Sequence, residues 1–109
     1  MKSFQDSMAV YKRQIEIGDI QTAYRGLMEY LMSLRTTLKN RHPEFYVSGN
    51  FYFGYMDMSY FSFTPQSLRV KKLRISIVFI HKTCSFEIWL GGINKGVQYE
   101  YWKIFKESG

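Results

Sequence analysis

Between Leu73 and Leu90 the sequence reads LRISIVFIHKTCSFEIWL, and its period-two alternation leaves little freedom in how it folds. With Leu73–Ile80 and Ser85–Leu90 as strands joined by His81-Lys82-Thr83-Cys84, an even-length turn sets Ile80 opposite Ser85, Phe79 opposite Phe86, Ile77 opposite Ile88 and Ile75 opposite Leu90. One face of this hairpin is wholly apolar. The other pairs Val78 with Glu87 and Ser76 with Trp89 and is mixed. An odd-length turn would set Phe79 across from Glu87. A one-residue slip sends every side chain of a strand to the opposite face, so the even register is the one that packs.

The N-terminal third has the other period. Residues Gln5–Ile17 carry apolar side chains at Met8, Val10 or Tyr11, Ile15 and Ile17, a loose helical spacing that Gly18 ends as a C-terminal cap. Asp19 is expected to offer an N-cap oxygen to a second helix, whose stripe runs Ile20, Ala23, Tyr24, Leu27, Leu31, Leu34 and Leu38. His42-Pro43 closes it, because the residue before proline is pushed out of the helical region and Pro43 cannot continue the ladder.

From Phe45 the chain reads as sheet. The segment NFYFGYMDMSYFSF, Asn50–Phe63, has seven aromatics in fourteen positions. Phe51, Phe53 and Tyr55 alternate with Tyr52, Gly54 and Met56. Beyond Asp57, Ser59, Phe61 and Phe63 alternate with Met58, Tyr60 and Ser62. Two strands fit, with Gly54 and Asp57 at the bend between them and with Phe61 and Phe63 joining the apolar face of the hairpin. Pro65 ends the second strand, Gln66–Arg69 makes a short crossing, and Gly91–Gly96 leads to a last helix over Val97–Glu107 with a stripe at Val97, Tyr101, Ile104 and Phe105. The expected architecture is one α+β domain over residues 1–109. It has two N-terminal helices, an antiparallel sheet of about four strands, and a C-terminal helix packed on the sheet.

Nine Phe, nine Tyr and two Trp in 109 residues supply a core without staples, since each buried ring removes roughly 150–250 Å² from water. The single cysteine, Cys84, cannot form an internal disulfide, and Met1–Val10 has no secretory pattern, so a reducing cytoplasm is the expected compartment. The longest apolar run, Ile75–Ile80, falls far below the ~20 residues that cross a bilayer, and no membrane association is expected. Fifteen Lys and Arg against nine Asp and Glu give +6, a mild bias towards anionic partners. The dense basic group is Arg69, Lys71, Lys72 and Arg74, placed where charges also keep an apolar strand soluble.

The stretches GDIQTAYRGLMEYLMSLRTTLKN, GNFYFGYMDMSYFSFTPQSLRVKKLRISIVFIH and FEIWLGGINKGVQYEYWKIFKESG together resemble an uncharacterised conserved domain family of bacteria and archaea. The resemblance covers nearly the whole chain and implies a shared fold, with no activity attached. It also implies that the domain continues beyond Gly109. More faintly, FGYMDMSYFSF leading into a sheet is similar to frataxin-like proteins proposed as iron chaperones. Those proteins rely on an acidic surface and this chain is basic, so their function does not carry over.

Complete catalytic sets are missing. His81 and Cys84 stand in H-x-x-C order, but with His42 as the only other histidine they cannot assemble the four ligands of structural zinc, and no orienting acid or oxyanion donor makes them a nucleophile pair. Asp57 and Glu87 are the two carboxylates of the sheet region and could serve a metal-dependent enzyme, but Trp89 stands where a nuclease-like core would place lysine. The expected roles are plainer: Asp57 caps a turn, and Glu87 meets solvent or Arg74. No cofactor is expected. The function expected is a non-catalytic domain acting through protein association or ligand binding at an aromatic surface of Tyr52, Tyr55, Asp57, Tyr60, Glu87 and Trp89, with a homo-oligomer or a protein as partner. The alternative is a nucleic-acid module, in which Arg69, Lys71, Lys72 and Arg74 meet phosphates and the Tyr and Trp rings stack on bases.

Overall fold

The computed structural model describes residues 2–92, and the helix expected over Val97–Glu107 lies outside them. Two compact units divide the chain, at Met1–Ser33 and Leu34–Gly109.

In the first unit, α1 runs over Phe4–Ile17 and α2 begins directly at Asp19, ending in the second unit at Arg41. Ser3 and Asp6 close a reciprocal capping box at the start of α1: each side chain accepts a hydrogen bond from the other residue's amide, at 3.1 Å. At its end Gly18 takes φ 90°, a left-handed conformation that costs glycine nothing, and its amide donates to the Gln14 carbonyl. Asp19 is not the cap expected of it. The helix restarts one residue earlier, because the Gly18 carbonyl already accepts from both the amide and the hydroxyl of Thr22. Met28 and Leu31 of α2 are buried, whereas no residue of α1 is.

The second unit is a four-stranded antiparallel meander in the order β1-β2-β3-β4, formed by Tyr46–Tyr52, Met58–Thr64, Leu73–Ile80 and Ser85–Gly92. The one-turn helix α3, Gln66–Arg69, bridges β2 and β3. The β3–β4 ladder has the even register: Phe79 pairs with Phe86, Ile77 with Ile88, Val78 with Glu87 and Ser76 with Trp89. On β2, Phe61 pairs with Ile77 and Phe63 with Ile75, so both join the apolar face. The bend after β1 spans Phe53–Asp57, earlier than the alternation alone suggests. Gly54 at φ 75° has no room for a side chain, since a Cβ there would overlap the Met58 carbonyl.

Phenylalanine and tyrosine separate between the two faces. One face carries Phe51, Phe61, Phe63, Phe79 and Phe86, in ring contacts such as Phe51–Phe61 at 6.3 Å and Phe79–Phe86 at 5.1 Å. The other carries Tyr46, Tyr52 and Tyr60 with Ser62, Thr64, Arg74, Ser76 and Trp89. The hydroxyl that tyrosine adds needs a partner or water, which assigns it to the wetter side.

β1 departs from one-to-one pairing with β2. Val47 pairs with Phe63 and Phe51 with Phe61, so two more residues lie between the pairs on β1 than on β2. The irregularity is held from within: the Asn50 amide donates to Ser48 Oγ at 3.1 Å, and Arg35 Nε donates to the Ser48 carbonyl at 2.8 Å.

Candidate functional site

The tyrosine face holds two adjoining concavities. The first, about 190 Å³, is lined by Tyr46, Ser48, Ser62, Thr64, Arg69 and Arg74. Register explains this convergence. Tyr46 pairs with Thr64, and Arg74 lies on β3 one residue before Ile75, the partner of Phe63, so Tyr46, Thr64 and Arg74 share one transverse row. Arg69 reaches the same row from the end of α3, its guanidinium carbon 5.8 Å from the centre of the Tyr46 ring, a cation–π arrangement. Ser62 and Thr64 form a floor at 7% exposure each, and Ser62 Oγ lies 2.7 Å from Ser76 Oγ.

The second concavity, also about 190 Å³, is lined by Met58, Tyr60, Ser76, Val78, Trp89 and the backbone of Gly91 and Gly92, and it shares Arg74 with the first. Its floor is the fully buried Val78. Its walls are two aromatics of the expected surface. The ring of Tyr52 stands 5.0 Å from that of Tyr60, extending the aromatic wall onto β1.

Among the described residues neither Arg69 nor Arg74 pairs with a carboxylate. Glu87 does not meet Arg74: its Oε1 accepts a 2.9 Å hydrogen bond from Trp89 Nε1, two residues along the same strand face. That bond sets the indole's orientation and engages the Glu87 carboxylate with Trp89 rather than with Arg74. Lys71 and Lys72 sit exposed on the turn between Arg69 and Arg74, with Lys72 at φ 57°.

Other expected site residues are placed elsewhere. Tyr55, 91% exposed, lies on the β1–β2 bend rather than among the ring stacks. Asp57 caps that bend, its Oδ1 accepting from the Tyr55 amide at 2.9 Å. This amide, then those of Met58 and of Asp57 itself, hold its carboxyl below the ordinary range. Asp57 and Glu87 therefore serve separate partners, and among the described residues no group of three or more His, Cys, Asp and Glu could hold a metal ion.

His81 looks more chemical than it is. Its Nε2 lies 2.9 Å from Ser59 Oγ, with Asp57 nearby, which gives the residue types of a hydrolase triad. The hydroxyl is already committed elsewhere. Ser59 is fully buried and donates its hydroxyl to the Phe53 carbonyl, so it is held by the backbone and out of reach of a substrate. Cys84, at φ 50° on the hairpin turn, donates its thiol to the His81 carbonyl and faces solvent. His42 stacks on Phe45 at 4.6 Å and meets Glu44 at 3.2 Å.

Tyr46, Ser48, Ser62, Thr64 and Ser76 were not expected here. Hydroxyls carry no signal in a sequence until the sheet register puts them in one row, although the Phe-Tyr-Phe alternation of Phe51–Phe53 already hinted that tyrosines line a face of their own.

A family model described as Domain of unknown function (DUF7000) matches residues 4–109. No curated protein and no solved structure matches the chain.

Proposed function

The chain belongs to the DUF7000 family, whose description names no reaction, and from that premise we propose a non-catalytic binding module that takes an anionic ligand bearing a flat ring on the tyrosine face of its sheet. The observation that carries the reading is the pair of guanidiniums, Arg69 and Arg74, lining one concavity with the Ser62 and Thr64 hydroxyls and without a carboxylate partner among the described residues. Guanidinium forks match the geometry of phosphate and carboxylate oxygens, and the hydroxyls offer further donors at the floor. The adjoining walls of Tyr60 and Trp89 suit a planar group. Thermal unfolding of the full chain with adenosine monophosphate, adenosine or inorganic phosphate tests it, because a ligand that binds only the folded state raises the midpoint. Adenosine monophosphate should raise it more than either fragment, and Arg74→Gln should cancel the gain. No shift with any of the three sinks the reading.

Association is a second reading, supported by Phe86, Ile88 and Leu90 on the other face of β4. They are 44%, 75% and 52% exposed along β4, an edge of the sheet among the described residues. The helix expected over Val97–Glu107 begins shortly after Gly92, and packing on this row would cover it; left open, the row would be met by a second copy of the chain.

A further inference from the structure

We infer that the ligand of the tyrosine face is single-stranded nucleic acid, with a phosphate between Arg69 and Arg74 and a base against Trp89 and Tyr60. The inference rests on the anionic-ligand reading and narrows it. Two observations and one general property of bases carry it. First, Arg74 lines both concavities, so the anion-binding groups and the ring-sized cleft are continuous rather than separate sites. Side chains on one face of a strand recur every ~6.6 Å, and Trp89 is paired with Ser76, one such repeat from Arg74. A phosphate and the base of the same nucleotide span that interval.

Second, the track runs past both concavities. Lys71 and Lys72 stand exposed on the turn that joins Arg69 to Arg74, and the Tyr52 ring continues the aromatic wall beyond Tyr60. A free nucleotide would leave these groups unused, whereas a strand running on in both directions meets them. Third, aromatic faces of this kind are usable by bases that are unstacked and splayed out, which a duplex does not present. The chain's +6 charge draws such a strand in, and Glu87, on the same strand face as Trp89, is turned onto its Nε1. The phosphates then follow the row of Tyr46, Thr64 and Arg74, away from that carboxylate.

The test is fluorescence anisotropy of a labelled oligothymidylate of about twelve nucleotides, a length within the range such sheets cover, titrated with the full chain over a series of salt concentrations. The logarithm of affinity should fall linearly with the logarithm of salt, and Arg69→Gln and Arg74→Gln should each reduce the slope by ~0.7, the share of one phosphate on a single strand. Trp89→Ala should weaken binding roughly tenfold with the slope unchanged, and Trp89→Tyr should restore most of the loss, which separates stacking from damage to the fold. Glu87→Gln should tighten binding. A duplex of the same length bound as tightly as the single strand overturns the inference. If the oligonucleotide fails to bind while adenosine monophosphate still raises the unfolding midpoint, the strand is excluded and the anionic-ligand reading stands; if neither acts, both fall.

Discussion

At the scale of single residues, the polar groups near the phenylalanine face keep the backbone in place. Ser59 is fully buried, yet its hydroxyl joins the Phe53 carbonyl to the His81 ring, tying the β1–β2 bend to the β3–β4 turn. Asp57 works alongside it by accepting the Tyr55 amide. Because those backbone amides depress its pKa in the folded protein, Asp57 adds stability that is present above the unfolded aspartate value, ~3.9, and is lost as pH falls through the lower folded one. Asp57→Asn keeps an acceptor but has no charge to lose. Urea unfolding of parent and variant should therefore show a stability gap near neutrality that narrows as pH drops below ~4. A gap that is constant with pH would mean that the charge is irrelevant to the bend.

At the scale of elements, what could be read in advance depended on how far a local pattern determines a fold. The β3–β4 register was legible because two alternating strands and an even turn admit one pairing that puts Phe79 beside Phe86. Gly18 was legible as a cap because a left-handed residue after a helical stripe calls for glycine. The Asp19 cap was misjudged because the Gly18 carbonyl captures Thr22 first. The extra residues in β1 left no trace, since Ser48-Gly49-Asn50 reads equally well as strand or turn. Of the site, the arginines stood out by their density. Their partners Tyr46, Ser62 and Thr64 did not, because a shared row across β1, β2 and β3 exists only after the strands have paired.

The edge strand β4 carries its own prediction. If Phe86, Ile88 and Leu90 meet a second copy, sedimentation of the full chain should show a mass that rises with concentration, and Ile88→Glu should abolish the rise. If the C-terminal segment covers the row, the parent should stay monomeric and Ile88→Glu should lower its unfolding midpoint. A monomer indifferent to the substitution would refute both.

At the scale of the whole molecule, the sheet keeps apart two demands that the sequence interleaves residue by residue. On one face Phe61 and Phe79 are buried, at 1% and 8% exposure, and a fully buried ring contributes roughly 1.5–3 kcal/mol. Tyrosines, hydroxyls and arginines on the other face keep the concavities polar and open. Among the described residues no helix is long and apolar enough to cross a membrane.

The irregularity in β1 sets which changes of length such a chain tolerates. Val47 and Phe51 flank Ser48-Gly49-Asn50, while on β2 Ser62 alone separates their partners Phe63 and Phe61. Removing Gly49 and Asn50 together leaves Ser48 to face Ser62, so both faces keep their residues and the ladder closes without interruption. Removing Gly49 alone leaves Ser48 and Asn50 opposite Ser62, a two-against-one bulge that keeps both flanks on their faces with a sharper local twist. Both deletions should therefore yield a folded protein with a cooperative melt, whereas a single deletion at Ser62 of β2 should not. β2, paired on both sides, has no such slack. Lineages carrying this fold would then gain or lose residues in β1 between Val47 and Phe51, and hardly ever within β2.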